Sequence, residues 1–183
     1  IFDADWYCQK LDKEIRYKES ESETNLRITA KEMLAIYFKS PHREVKGTEV
    51  PFTIPFTHPS NGRGFGIDLE GWFDLIEEDD TIVEFKTSAQ TMNQEDADKH
   101  PQLTLYSYAY EVLYGKAPKL LKIVNFVKNK KPKMIVLKTR RNKSHYQRYF
   151  SIAGEVLRGI QQQHFFPRQS FMCKDCEYDS PCR

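Results

Sequence analysis

Glu84 and Lys86 stand two residues apart in TIVEFKTS, residues 81–88, a stretch otherwise apolar enough to be a buried strand. Side chains alternate faces along a strand, so Ile82, Glu84 and Lys86 share one face and Val83, Phe85 and Thr87 the other. Burying an unpaired carboxylate is costly, so Glu84 requires a cation. Lys86 could be that cation, in a plain structural salt bridge. The preceding GWFDLI, residues 71–76, puts a second acid, Asp74, in another apolar strand. A three-residue hairpin loop, Glu78 to Asp80, would set Glu77 against Thr81 and Asp74 directly opposite Glu84. Like charges facing each other destabilise a sheet. A divalent cation, which takes hard oxygen ligands, would reconcile them and leave Lys86 to hold a water or an anionic substrate. Phosphodiester hydrolysis needs this arrangement: a metal to polarise the phosphoryl oxygen and acidify water, and a lysine to orient that water and offset developing charge. An acid followed by E-x-K is moderately specific, since ordinary strands contain E-x-K by chance.

Gln102 and Tyr106 follow four residues apart, on one face of an expected helix. Taken singly they read as a helix N-terminus and a core tyrosine. Cys173, Cys176 and Cys182 form a C-x2-C-x5-C cluster in CKDCEYDSPC, with Cys8 far upstream. So dense a cluster near a chain end points to metal rather than to disulfides in an intracellular protein. By count, four thiolates suit an iron–sulfur cluster or a zinc ion equally.

The elements that must position these residues follow from periodicity and breakers. ITAKEMLAIYF repeats Leu26, Ala30, Met33, Leu34 and Tyr37 at helical spacing and stops at Ser40-Pro41. Glu49 to Phe56 reads as a strand whose two prolines favour a sheet edge. NGRG is a turn, FGIDLEGWFDLI a strand, EEDD a turn and TIVEFKT the returning strand. Residues 88–98 read as a loop, and residues 1–23 give no assignment. PQLTLYSYAYEVLYG is a helix, with Pro101 in its first turn and Gly115 past its end. KLLKIVNFV and KMIVLKT are strands around KNKKP, and residues 142–165 form a closing helix. The order predicts an α/β fold with a mixed sheet of about five strands flanked by helices.

With 183 residues, 39% of them apolar, one domain with a sizeable core is expected. No apolar run could span a membrane and no secretory signal is visible, so an intracellular, cytoplasmic location is expected. The chain begins at Ile1 rather than at methionine, which suggests a piece of a longer protein. Net charge is +2, unevenly spread: residues 112–154 hold twelve of the 28 Lys and Arg and no acid, against 16 basic and 26 acidic residues elsewhere. Such a block suggests a polyanionic ligand, a solvated lysine-rich hairpin being the plain alternative. Lys128, Lys130, Lys131, Arg140 and Arg141 are its candidate phosphate contacts. Tyr106, Tyr108, Tyr110 and Phe126 are candidates to stack on unpaired bases.

Asp74, EFK at 84–86, QLTLY at 102–106 and the cysteine cluster, in that order, give a chain that resembles the RecB-like branch of the PD-(D/E)xK nucleases. It looks most similar to the iron–sulfur members, the AddB-type nuclease domains and the CRISPR-adaptation exonucleases. The match spans residues 45 to 183. It implies a restriction-endonuclease-like core and one domain in three parts: 1–44 N-terminal and helical with Cys8, 45–166 catalytic, and 167–183 the cysteine tail. It implies a metal-dependent DNA exonuclease acting on single-stranded or free ends, with a helicase or a larger repair or defence complex as conceivable partner.

By the same resemblance, Asp74, Glu84 and the Phe85 carbonyl bind Mg2+ or Mn2+ and Lys86 serves the attacking water. Gln102 and Tyr106 match the Q-x-x-x-Y element that positions the site. Glu49 matches an accessory acid on the first strand. Cys8, Cys173, Cys176 and Cys182 would hold a 4Fe–4S cluster, with Zn2+ as the alternative, stapling the chain ends. One feature departs from the pattern: family members carry a metal-binding histidine on a helix before the first strand, and the histidine in that interval, His42, follows Pro41 in a loop-like stretch and does not take the role. That departure leaves a nuclease-like binding module, or a zinc-stapled interaction domain, as rival expectations.

Overall fold

The computed structural model describes residues 1–11, 15–17, 21–41, 43–165, 170, 173 and 176–182. His42, noted above, lies outside the described residues.

Its elements are α1 (Phe2–Lys10), α2 (Glu23–Lys39), β1 (Val45–Thr57), β2 (Gly64–Glu77), β3 (Thr81–Ser88), α3 (Gln94–Lys99), α4 (Pro101–Tyr114), β4 (Leu120–Val127), β5 (Lys133–Thr139), α5 (Lys143–Gln161) and α6 (Asp179–Cys182). The strands form one sheet in the order β1-β2-β3-β4-β5. Only the β3–β4 pair is parallel; the α3–α4 crossover between those strands supplies the length that a parallel return needs. The sheet is therefore mixed, as expected, and β1 with its two prolines lies at an edge.

Two elements depart from the reading of the sequence. Residues expected as a loop contain α3, started by a capping box in which Asn93 and Asp96 satisfy each other's backbone N–H groups. The unassigned N-terminus contains α1, with no buried residue and little apolar periodicity. Contacts distant in sequence hold it on α2: Trp6 Nε1 and Lys10 Nζ both donate to Glu23, and Asp3 pairs with Arg27 and Lys31.

The core lies mainly between the sheet and α4. Ile82, Phe73, Ile123, Leu121, Leu103, Ala109 and Tyr110 are essentially without exposure there. Helix α4 starts at Pro101 and ends on Gly115 in the left-handed conformation, as its sequence dictates. Helix α5 adds Tyr146 and Phe150, and Tyr146 shares a hydrogen bond with Ser107 of α4. The opposite face carries a smaller cluster, Leu75, Val83 and Val124, against which Phe85 and Phe126 pack. Tyr37 of α2 meets both phenylalanine rings edge-on.

Candidate active site

The loop between β2 and β3 is Glu78–Asp80, three residues long, with Asp80 in the left-handed region at φ 64°. The register it sets is Ile76↔Ile82 and Leu75↔Val83, which brings Asp74 level with Glu84. Ile82 belongs to the core against α4 and Val83 to the opposite cluster, so alternation sends Glu84 and Lys86 toward α4. Beyond this point the two strands part. The Phe85 N–H donates to Asp74 Oδ2 at 2.9 Å rather than to a β2 carbonyl. A strand residue's N–H and C=O point to the same side, so the Phe85 carbonyl opens toward the same fork.

Glu84 is 2% exposed. Its Oε1 pairs with Lys86, and its Oε2 is buried with no hydrogen-bond partner within 3.5 Å among the described residues, although the Tyr106 hydroxyl is near enough to act on the carboxylate. Burial raises its pKa, Lys86 pulls it back, and the Asp74 charge raises it further. Asp74 is therefore close enough to Glu84 to oppose its ionisation.

Lys86 Nζ also donates to Gln102 Oε1 at 2.8 Å, and Gln102 Nε2 donates to the Tyr106 hydroxyl at 2.7 Å. Glu84, Lys86, Gln102 and Tyr106 are thus one connected line from β3 to α4. Tyr106 is buried, and burial is the main cause that holds its hydroxyl protonated far above the ordinary tyrosine range; the charges of Glu84 and Asp74 act the same way.

The site fits a hard divalent cation. Two carboxylates at a strand fork, one of them enclosed, and a backbone carbonyl supply oxygen ligands alone. Mg2+ is commonly held by one or two carboxylates, with water and substrate phosphate completing its shell. No group of three or more His, Cys, Asp or Glu is gathered around a common metal position among the described residues, so protein side chains offer two acids and no third. The same finding bears on the thiols: Cys8 is exposed on α1, Cys176 and Cys182 are exposed, and the four are not drawn together.

Glu49 lies between Thr48↔Leu75 and Val50↔Phe73, level with Asp74 on the neighbouring strand. It is exposed, in the left-handed region at φ 48°, and makes no hydrogen bond or ion pair among the described residues. Lys128, Lys130 and Lys131 are exposed at the β4–β5 turn. Arg140 is exposed and its Nε donates to the Lys119 carbonyl. Arg141 is half-buried, and its guanidinium donates to acceptors within the fold. Of the candidate stacking aromatics, Tyr106 and Tyr110 are buried in the core and Phe126 packs on Tyr37 and Phe85. Tyr108 is partly buried against Tyr146 and Phe150.

One further group lies near the site. His100, the N-cap of α4, has a buried Nδ1 with no hydrogen-bond partner among the described residues. Burial and the Lys86 charge hold it below the ordinary histidine pKa. It stands two residues before Gln102. A cleft of about 570 Å3 beneath α2 lies on the other face of the sheet, over Leu75, Val83 and Val124, and Asp74, Glu84, Lys86, Gln102, Tyr106 and His100 do not line it.

A family model described as the PD-(D/E)XK nuclease superfamily matches residues 1–183. The chain belongs to the PD-(D/E)XK nuclease superfamily. Asp74, Glu84 and Lys86 at the strand fork stand in the acid, then E-x-K, order on which the resemblance above was drawn. Among solved structures, an exonuclease from Eubacterium rectale, so named provisionally, is similar with a TM-score of 0.62 at 15% identity, over 98% of this chain and 68% of that one. At that identity the likeness speaks for the fold. The structure of SSO0001 gives a TM-score of 0.47 at 16% identity over 73% of this chain and 58% of that one, and carries no weight. No curated protein matches the chain. No described helix is long and apolar enough to cross a membrane.

Proposed function

We propose that this nuclease-superfamily chain is a metal-dependent deoxyribonuclease domain that hydrolyses phosphodiester bonds at DNA ends, single-stranded ends in particular. The observation that carries the proposal is the fork at Asp74 and Glu84, two carboxylates, one of them buried, beside a tethered lysine. The provisional name of the Eubacterium rectale structure supports digestion from an end.

Asp74, Glu84 and the Phe85 carbonyl would hold Mg2+ or Mn2+, which supplies Lewis-acid polarisation of the scissile phosphoryl group. Lys86, freed from Glu84, stays held by Gln102 Oε1. Its remaining N–H groups donate to the attacking water and to a non-bridging oxygen, offsetting the negative charge that grows there. Gln102 accepts from Lys86 through its carbonyl and donates to Tyr106 through its amide, so a flip of the amide would break both bonds. Tyr106, held protonated, positions Gln102 and cannot act as a base. Lys128, Lys130 and Lys131 would meet phosphates along the strand, and Glu49 would serve from β1 as an accessory acid. A helicase or a repair or defence assembly would present the ends.

The test is Mn2+- or Mg2+-dependent release of nucleotides from end-labelled single-stranded DNA. Lys86→Ala should slow it by at least roughly a hundred-fold, the usual scale for losing a positioned proton-transfer or charge-stabilising group, while the fold persists. Equal rates on linear and covalently closed DNA would count against end-directed cutting. Binding without cutting, whatever the metal, would favour the second reading, a nuclease-like DNA-binding module; that the described residues gather no third side-chain ligand at the two acids favours that reading.

The cysteine tail adds a structural proposal, a 4Fe–4S staple through Cys8, Cys173, Cys176 and Cys182, with Zn2+ as alternative. It rests on the C-x2-C-x5-C spacing. It requires the four thiols to be brought together from the separated positions they occupy. Iron, acid-labile sulfide and zinc per chain in purified protein distinguish these and an apo tail.

A further inference from the structure

Arg141 sits between β5 and α5, far in sequence from every residue of the site. It is half-buried. Its Nε donates to Thr104 Oγ1 at 2.8 Å, and one terminal nitrogen donates to Thr139 Oγ1 at 2.8 Å and the Arg140 carbonyl at 3.1 Å. The other donates to the Ala97 carbonyl at 2.8 Å and the His100 carbonyl at 3.2 Å. Ala97 lies in the last turn of α3, and its carbonyl also takes the His100 N–H. His100 is the C-cap of α3 and the N-cap of α4. One planar fork therefore ties the end of β5 to the corner between α3 and α4. No carboxylate pairs with it among the described residues, so neutral carbonyls and hydroxyls absorb its donors.

That corner sets where α4 begins, and Gln102 is the second residue of α4. Gln102 Oε1 fixes Lys86, and Lys86 is the ammonium beside Glu84. We infer that Arg141 is a positioning residue of the nuclease site, acting through the α3–α4 corner and Gln102 on Lys86, and that it does not contact DNA phosphate. The inference rests on the proposed nuclease reading. The rigid fork is what the role demands: a guanidinium reaches several carbonyls in one plane, whereas a lysine offers a point charge and cannot span them. A displacement of about 1 Å at a reacting group can cost on the order of a hundred-fold in rate.

The test compares Arg141→Lys and Arg141→Met with the wild type in three measurements. Steady-state cleavage of single-stranded DNA should show kcat reduced at least roughly ten-fold in both variants, with KM little changed. DNA affinity against salt should keep the wild-type slope. The side-chain amide resonance of Gln102 should move in both variants, and thermal melting verifies that each is folded. A phosphate-contacting Arg141 gives the opposite pattern: Arg141→Lys near wild type in all respects, and Arg141→Met with weaker binding and a salt slope shallower by roughly 0.7 for one lost contact to a single strand. That pattern, or an unmoved Gln102 resonance, overturns the inference. Should the wild type cut no DNA, the nuclease reading fails, while the affinity and resonance measurements still decide the role of Arg141.

Discussion

The Phe85 amide on β3 donates to Asp74 Oδ2 on β2 at 2.9 Å, at the point where the two strands part. Asp74 thereby holds the fork together as well as presenting charge in it. The two roles separate by substitution. Asp74→Asn retains an acceptor for the amide and should melt in urea close to wild type. Asp74→Ala leaves a part-buried N–H unsatisfied and should lose about 1–3 kcal/mol. Both should be inactive; equal stability of the two variants would remove Asp74 from the fork.

The line Lys86–Gln102–Tyr106 orders the effects of cutting it. Gln102→Leu removes the tether of Lys86 and a partner of Tyr106 at once, and kcat should fall further than in Tyr106→Phe, which leaves Gln102 on Lys86. A reversed order in single-turnover rates would mean that the hydroxyl, not the amide, sets the site.

Much of this was legible because a three-residue loop fixes register. Glu77 against Thr81 follows from Glu78–Asp80 alone, and a period of two then carries Asp74 to Glu84. The helix α4 was equally plain, bounded by Pro101 and Gly115. What was not legible depends on groups far apart in the chain. Helix α1 is held by Asp3 to Arg27 and Lys10 to Glu23, contacts no local window contains. Arg141 looked like one more cation in a basic run, since nothing nearby in sequence reveals that its partners are carbonyls some forty residues upstream. Helix α3 was hidden in polar residues, although Asn93 and Asp96 at capping-box spacing were there to be read. Glu84 itself was expected to need a cation; that Lys86 takes only one of its two oxygens became visible in three dimensions.

Asp79 at the β2–β3 loop gives a pH-dependent contribution to stability. Lys119 donates to it at 2.8 Å and lowers its pKa from 3.8 to about 2, aided by the Thr81 N–H and Arg43 and opposed by partial burial. The folded value lies below the ordinary one, so the stabilisation is present above about pH 4 and is lost as pH falls through 2. Asp79→Asn should be less stable than wild type at pH 7, and the urea midpoints should converge toward pH 2. A constant difference across that window would show that the carboxylate charge is not what stabilises the loop.

The central claim is that Asp74 and Glu84 together hold a single divalent cation, and Mn2+ binding followed by electron paramagnetic resonance reads it most directly. Wild-type protein should bind one Mn2+ that Mg2+ displaces, and Asp74→Asn and Glu84→Gln should each abolish that site while Lys86→Ala retains it. Unchanged Mn2+ binding in both acid variants would contradict the claim.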